Sequence, residues 1–227
     1  MKPRFFADTR DLFKYDLVQL LMEGIPVLRH FHFVPMLTRD DGKEGKYHDL
    51  RNARAGHLNR DLCEFLEKCH AGKVRDVSRI KVYFGGRGIA TDIIDTPFTH
   101  RGRGGYFRDL MEGIRPSSLV LLDPDNGLGV RHPDEKHLLF PELSGILAAI
   151  DDGSLVMVFQ YYPRVDHRIY RAERGDEISR ETGTRPIWIT DNQIIFYLLA
   201  NSGPVKMRAA DLLGEYASRY PGLTTGS

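Results

Sequence analysis

The sequence predicts an α/β fold with a mostly parallel sheet, because strand-like segments alternate with helix-like segments along the chain. Residues 119–122 and 154–159 are almost continuously apolar, which is typical of strands that are buried on both faces of a sheet. Residues 187–190 and 193–200 are also strand-like, and a short polar turn separates them. This last pair predicts an antiparallel hairpin at one edge of the sheet.

The first part of the chain predicts two helices and two strands. Residues 9–23 predict an amphipathic helix, since apolar residues recur at helical spacing. These apolar residues are Phe13, Leu17, Leu20 and Leu21. Residues 31–37 predict the first strand, and the turn-rich residues 38–45 form the loop after it. Residues 57–71 predict a second helix, and the β-branched and aromatic residues of 79–84 predict a second strand.

The rest of the chain continues the alternation after a segment without a clear pattern. Residues 85–105 are rich in glycine and arginine and predict irregular structure. The further helices are expected at 105–114, at 141–150, within the charged segment 163–185, and at 206–219. No internal repeat divides the sequence, so we expect a single domain that spans residues 1–227.

Length and composition exclude several classes of protein. The 227 residues are 41% hydrophobic and 28% charged, which is typical of a globular domain. The formal net charge of +1 excludes a general polyelectrolyte binder, so any contact with nucleic acid requires a local basic patch. Neither a signal peptide nor an apolar run long enough to span a membrane is present, and Cys63 and Cys69 match no metal or redox motif. We therefore expect a cytoplasmic protein without a membrane partner.

The most informative segment is Asp123-Pro-Asp-Asn-Gly127, which directly follows the apolar strand. In open α/β sheets, ligands bind beyond the carboxyl ends of the strands, which is where this segment is expected to lie. Pro124 stiffens the turn, and Gly127 permits a left-handed conformation. The side chains of Asp123, Asp125 and Asn126 are candidates for contacts with a ligand. The alternative is an Asx-type turn in which these side chains bond only to the local backbone.

A hydrophobic strand followed by Asp-Pro resembles the motif of amino-group methyltransferases that use S-adenosylmethionine, which reads Asp/Asn-Pro-Pro-Tyr in that family. Residues 6–15 (FADTRDLFKY) are also similar to the opening motif of the bacterial enzymes that methylate adenine N6 in large-subunit ribosomal RNA. The resemblance implies a Rossmann-like three-layer sandwich. It also implies a target base that is extruded and stacked on an aromatic ring.

The resemblance assigns roles to individual residues. It implies that Asp123 orients the target amine, and we expect Asn126 and Gln160 to assist; with Asp125, these are the candidate catalytic residues. The candidate cofactor-binding residues are Lys14, Thr38, Asp40, Gly42 and Pro124. The chain departs from the family pattern because Asp125 and Asn126 replace the second proline and the aromatic residue. Tyr161 or Tyr162 is a candidate for the missing aromatic surface.

A second interpretation is a Mg²⁺-dependent nuclease or phosphoesterase. Asp123 and Asp125 lie two positions apart, and the loop 38–45 supplies Asp40, Asp41 and Glu44 from a neighbouring strand. Convergent carboxylates bind Mg²⁺ through oxygen and support phosphodiester hydrolysis. Under the methyltransferase interpretation, no residue is expected to bind a metal ion. A third interpretation is a methyltransferase-like module that binds nucleic acid or a protein partner without catalysis.

Basic and aromatic residues provide candidate contacts with nucleic acid, either RNA or DNA. Arg101, Arg103 and Tyr106 lie in the glycine-rich stretch, and interleaved arginine and aromatic residues suit phosphate contact and base stacking. Arg164 follows the strand 154–159 and is a further candidate for phosphate contact. A solvated surface loop explains the same residues equally well. The sequence does not indicate an oligomeric state.

Overall fold

The computed structural model describes residues 2–39, 49–74, 76–129 and 132–227. The helices are α1 (Thr9–Gly24), α2 (Arg60–Ala71), α3 (Ile80–Gly85), α4 (Arg103–Gly113), α5 (Phe140–Ala149), α6 (His167–Thr182) and α7 (Gly203–Arg219). The strands are β1 (His30–Val34), β2 (Ala90–Ile93), β3 (Ser118–Leu122), β4 (Gly127–Leu128), β5 (His137–Leu138), β6 (Leu155–Tyr161), β7 (Ile187–Thr190), β8 (Ile194–Leu199) and β9 (Thr224–Gly226). Short 3₁₀ turns occupy Pro3–Phe5, Leu50–Asn52 and Val77–Arg79.

The main sheet has seven strands in the order β2-β1-β3-β6-β8-β7-β9. Neighbours from β2 to β6 pair in parallel, whereas β8 pairs antiparallel with both β6 and β7, and β9 pairs antiparallel with β7. The predicted α/β class, the mostly parallel sheet and the antiparallel C-terminal hairpin are therefore confirmed. A separate two-stranded parallel sheet joins β4 to β5, and the sequence patterns did not predict it.

Alternate residues of the central strands pack into two apolar cores, one on each face of the sheet. Phe31, Leu119 and Met157 point to the core that contains residues of α1, α2, α3 and α7. Val120 and Val158 point to the other core, which contains residues of α4, α5 and α6. Because the sheet is covered on both faces, its central strands β3 and β6 are apolar over most of their length. The result is three layers: helices, sheet and helices.

Capping residues set the ends of the helices that surround the sheet. The Asp8 carboxylate accepts hydrogen bonds from the backbone amides of Arg10 and Asp11, and it thereby fixes the start of α1. Asp166 caps α6 in the same way, and Gly183 ends that helix with a φ of +71°. Among the described residues, none of the helices has both the length and the apolar character that a bilayer crossing requires.

The predicted strand at 79–84 is wrong, because this segment forms the short helix α3. Ile80, Tyr83 and Phe84 are buried at helical spacing, whereas Val82 is 58% exposed. Packing of that face against the core overrides the strand propensity of the residues. The second strand is instead β2, which lies inside the segment that was expected to be irregular, and α4 begins within the same segment.

Candidate functional site

Asp123 lies at the carboxyl end of β3, in the middle of the sheet. Its backbone amide donates a hydrogen bond to the carbonyl oxygen of Val34 at 3.0 Å, so the parallel pairing with β1 continues into this residue. The residue is 3% exposed. The Asp-Pro segment therefore occupies the edge of the sheet where the sequence analysis expected it.

Lys14 connects the start of α1 to this edge. Its ammonium group donates hydrogen bonds to a carboxylate oxygen of Asp11 and to one of Asp123, each at 2.6 Å. The other Asp11 oxygen accepts a hydrogen bond from the backbone amide of Ala7 at 2.8 Å. Ala7 has a φ of +71°, a left-handed conformation that turns the chain into α1.

Burial and charge determine the protonation of this cluster. Burial raises the pKa of Asp11 to about 7, and the attraction of Lys14 opposes this rise. Burial lowers the pKa of Lys14, but the Asp11 and Asp123 carboxylates together raise it above its usual value. Lys14 is therefore charged at neutral pH, whereas Asp11 is close to its titration midpoint.

The cluster lies at the base of a small pocket of about 30 Å³ that is open to solvent; we call it the Asp123 pocket. Its lining residues are Lys2, Phe5, Asp8, Arg10, Asp11, Lys14, Asp123, Pro124, Asp125, Phe159 and Tyr161. The Arg10 guanidinium lies over the Tyr161 ring, with its central carbon 4.9 Å from the ring centroid. The pocket thus combines four carboxylates, three cationic side chains and three aromatic rings.

Of the two candidate tyrosines, Tyr161 lines the Asp123 pocket and Tyr162 does not. Tyr162 is partly buried against the core on the other face of the sheet and stacks on His167, with ring centroids 4.1 Å apart. This division follows from the strand geometry, because consecutive side chains of β6 point to opposite faces. Tyr161 therefore supplies an aromatic surface beside Asp123.

Asp125 fastens the loop after β3 to the loop after β1. One of its carboxylate oxygens accepts a short hydrogen bond from the Thr38 hydroxyl. Thr38 is 5% exposed and follows β1 directly along the sheet edge. The structure therefore brings Thr38 next to the Asp-Pro segment, while the other two loop candidates, Asp40 and Gly42, lie outside the described residues.

Gln160 and Asn126 hold the segment after Asp125 and do not line the Asp123 pocket. The Gln160 side-chain oxygen accepts a hydrogen bond from the Leu128 backbone amide at 2.6 Å, and its nitrogen donates to the Tyr161 carbonyl oxygen at 2.7 Å. The Asn126 amide nitrogen lies 3.4 Å from a ring nitrogen of His137 in β5. The Gln160 side chain thus holds the backbone of β4, and the Asn126 side chain contacts a side chain of β5.

The basic candidates occupy different environments. Arg103 forms an ion pair with Glu142, and it donates a hydrogen bond to the His137 carbonyl oxygen at 2.8 Å. Tyr106 packs against Phe98, with ring centroids 4.9 Å apart. Arg101 and Arg164 are exposed. Arg103 and Tyr106 therefore anchor α4 in the structure, whereas Arg101 and Arg164 present their side chains to solvent.

The carboxylates near Asp123 do not form a metal centre in the part of the chain that the structure describes. No group of three or more His, Cys, Asp or Glu side chains within that part has the geometry to hold a metal ion. The Lys14 ammonium lies between Asp11 and Asp123, where a cation would otherwise lie. The other proposed ligands, Asp40, Asp41 and Glu44, lie outside the described residues.

Sequence analysis missed Asp11, which shares Lys14 with Asp123. The signal was present: Asp11 and Lys14 lie three positions apart, so they share a face of a helix. The flanking residues Leu12 and Tyr15 are fully buried, and a charged pair among them indicates a buried polar contact. Arg10, which covers Tyr161, was likewise missed.

Comparison of the chain with protein-family models, with curated proteins and with solved structures gives no match.

Proposed function

We propose that this protein is an S-adenosylmethionine-dependent methyltransferase of Rossmann-like fold that acts on the exocyclic amine of a nucleic-acid base. The contact between Lys14 and Asp123 carries the proposal. These residues belong to the two separate motifs on which the resemblance to amino-methyltransferases depends, and they lie 2.6 Å apart at the ligand edge of the sheet. The three-layer architecture and the antiparallel hairpin support the same fold.

In this proposal, Asp123 positions the target. Its carboxylate accepts a hydrogen bond from the exocyclic amine and directs the nitrogen lone pair toward the methyl donor. Lys14 fixes the carboxylate in place through its hydrogen bond at 2.6 Å. When bound, S-adenosylmethionine would supply an electrophilic methyl group to the amine nitrogen as the carbon–sulfur bond breaks, and the proton released from the amine would pass to solvent water.

The aromatic lining supports a planar target. Tyr161 and Phe159 lie beside Asp123 in the Asp123 pocket, with their ring centroids 4.8 Å apart. They replace the aromatic residue that the Asp-Pro-Asp-Asn segment lacks, because a flipped base requires a stacking surface. The guanidinium of Arg10 covers Tyr161, and we expect it to move aside or to stack on the base when the target enters.

The carboxylates that line the Asp123 pocket are compatible with the charge of the proposed cofactor. S-adenosylmethionine carries a positive sulfonium group, and four carboxylates line the Asp123 pocket. Thr38, at the neighbouring strand end, borders the side on which the cofactor is expected. Lys14 and Pro124 line the Asp123 pocket. In this proposal they lie between the bound cofactor and the target base.

A neighbouring cavity of about 330 Å³ offers room for a nucleotide that flanks the target. It shares Arg10 with the Asp123 pocket, and its other charged lining residues are Arg54, Asp49 and Asp191. The Arg54 guanidinium is held by a hydrogen bond to the Asp191 carbonyl oxygen at 2.7 Å. Two arginines along a groove favour a phosphate-bearing polymer over a small neutral substrate.

Binding of S-adenosylmethionine, followed by transfer of a labelled methyl group to RNA and DNA oligonucleotides, tests the proposal. We expect Asp123→Ala, which removes the acceptor for the target amine, to lower methyl transfer by on the order of 100-fold with little change in cofactor affinity. Asp152→Ala, at an exposed position away from the pocket, is the matched control. Absence of cofactor binding at millimolar concentration would reject methyl transfer. Oligonucleotide cleavage that EDTA abolishes would support the Mg²⁺-dependent alternative.

A further inference from the structure

A second cavity lies between α6 and β7, on the face of the sheet opposite α1. We call it the Trp188 pocket; its chemically distinctive lining residues are Arg168, Arg171, Asp176, Arg185, Trp188 and Ser227. Its volume is about 320 Å³, at the lower end of the range of small-molecule sites. It shares no lining residue with the Asp123 pocket, and the proposed methyl transfer does not use it.

Trp188 and Arg171 form a fixed planar surface in this pocket. The central guanidinium carbon of Arg171 lies 4.3 Å from the Trp188 ring centroid. Gly226 pairs with Trp188 across β7 and β9, and a Cβ atom on this glycine would lie 2.4 Å from the indole. Arg171 also donates a hydrogen bond to the Tyr162 hydroxyl at 3.3 Å, and its carbonyl oxygen accepts one from Tyr197. Both stacking partners are therefore held in place.

The charge of the Trp188 pocket is predominantly positive. Three arginines face one acidic side chain, that of Asp176. Arg185 donates a hydrogen bond to the Ser227 carbonyl oxygen at 3.1 Å, which directs its guanidinium along the pocket wall. Guanidinium groups bind phosphate oxygens through paired hydrogen bonds, and they also stack on planar rings.

We propose that the Trp188 pocket binds a nucleotide, either free or as one unit of a single-stranded nucleic acid. The base stacks on the surface of Arg171 and Trp188, and Arg168 and Arg185 contact the phosphate. A cavity with an aromatic wall favours a planar anionic ligand over a flat charged surface such as a membrane. This inference does not depend on the proposed methyl transfer.

The fluorescence of Trp188 tests the inference directly, because this residue is the only tryptophan of the chain. The full-length protein is titrated with AMP, ADP and a short single-stranded oligonucleotide. Separate titrations with adenosine, which lacks the phosphate, and with pyrophosphate, which lacks the base, test each half of the ligand alone. We expect a saturable change with the nucleotides and binding that is about tenfold weaker for either half alone. An oligonucleotide that binds far more tightly than AMP identifies the strand as the ligand, and equal affinities identify the mononucleotide.

Two variants and a matched control localise the effect. Arg168→Gln and Arg185→Gln should each weaken nucleotide binding about fivefold or more. Arg180→Gln, also exposed on α6 but outside the pocket, should leave it unchanged. Calorimetry provides a second readout that does not depend on the tryptophan. The inference is overturned if neither method detects binding at about 10 mM nucleotide, or if all three variants bind alike.

Discussion

The ammonium nitrogen of Lys14 lies 2.6 Å from a carboxylate oxygen of Asp123, although the two residues are 109 positions apart in the sequence. Their side chains are 3% and 4% exposed. This contact fastens the second turn of α1 to the carboxyl end of β3, in the centre of the sheet. Since Lys14 also binds Asp11, one ammonium group compensates two buried carboxylates, and removal of any member changes the charge balance of the whole cluster.

Lys14→Met should destabilise the protein by about 3–5 kcal/mol at pH 8, because it leaves Asp11 and Asp123 buried without a cation. Urea denaturation measures the change. Lys68→Met is the matched control: Lys68 pairs with Glu64 at 3.9 Å, but its side chain is 80% exposed, so a cost below about 1 kcal/mol is expected. Equal costs for the two variants would contradict the structural role of Lys14.

Asp11→Asn should change the pH dependence of stability. The pKa of Asp11 is raised by burial from 3.8 to about 7, so between these values the folded chain retains a proton that the unfolded chain has lost. The free energy of unfolding therefore falls as pH rises through this window, by up to about 1.4 kcal/mol per pH unit from this group. The asparagine variant lacks that contribution.

Urea denaturation at several pH values across this window measures the slope. Asp211→Asn, at an exposed position on α7, is the control and should keep the wild-type slope. If Asp11→Asn also keeps the wild-type slope, Asp11 titrates in its ordinary range and the burial argument fails.

The parts of the fold that could be predicted are those in which burial leaves a pattern in the sequence. The apolar run of β3 and the helical spacing in α1 indicate their own structures, since each is packed against the core along its length. Strands β4, β5 and β9 left no such pattern, because they have only two or three residues and depend on distant partners. In α3, the composition favoured a strand while tertiary packing selected a helix.

The residues of the candidate site also divide into those that the sequence pattern indicates and those that depend on tertiary contacts. Asp123 was found because a polar residue after a buried strand is conspicuous. Asp11 was missed because an acidic residue in the first turn of a helix is explained by the helix dipole alone, and its burial depends on β3. Gln160 was expected to contact a base, but its bond to Leu128 depends on how the chain turns after Asp125. Such contacts between loops are set by the tertiary structure.

Gly127→Ala should destabilise the protein by about 2 kcal/mol or more, since two costs coincide. Gly127 has a φ of +101°, and an added Cβ would lie 2.3 Å from the Gln160 side-chain oxygen. Gly214→Ala is the control, because Gly214 lies in α7 with no atom within 4 Å of an added Cβ. A gain of about 0.5–1 kcal/mol is expected there. If thermal denaturation finds Gly127→Ala as stable as the wild type, the Gln160 side chain moves away from the added Cβ at little cost and the prediction is wrong.

Arg101→Gln should affect oligonucleotide binding, whereas Arg103→Gln should affect stability. Arg101 is exposed, so its substitution should leave stability within about 0.5 kcal/mol. If Arg101 contacts a phosphate, its substitution should lower the number of ions released on oligonucleotide binding by about one. Fluorescence anisotropy at several salt concentrations measures this number. Arg103 binds Glu142 and the His137 carbonyl oxygen, and its loss should cost about 1.5–3 kcal/mol of stability. Unchanged binding by Arg101→Gln would remove that residue from the proposed interface.

Thr38→Val and Asp125→Asn should impair the protein through one shared contact. Thr38→Val removes the hydrogen bond between the loops after β1 and β3, and Asp125→Asn weakens it by replacing the carboxylate acceptor with a neutral amide oxygen, so each should cost about 1–2 kcal/mol of stability. The double variant should cost less than the sum, with a coupling energy on the order of 1 kcal/mol. The Mg²⁺-dependent alternative predicts a different pattern: Asp125→Asn would abolish an EDTA-sensitive activity, whereas Thr38→Val would spare it, because a threonine hydroxyl contributes little to a carboxylate site. If the stability costs of the two substitutions are additive, and only Asp125→Asn abolishes the EDTA-sensitive activity, a metal site is favoured over a hydrogen bond that joins the two loops.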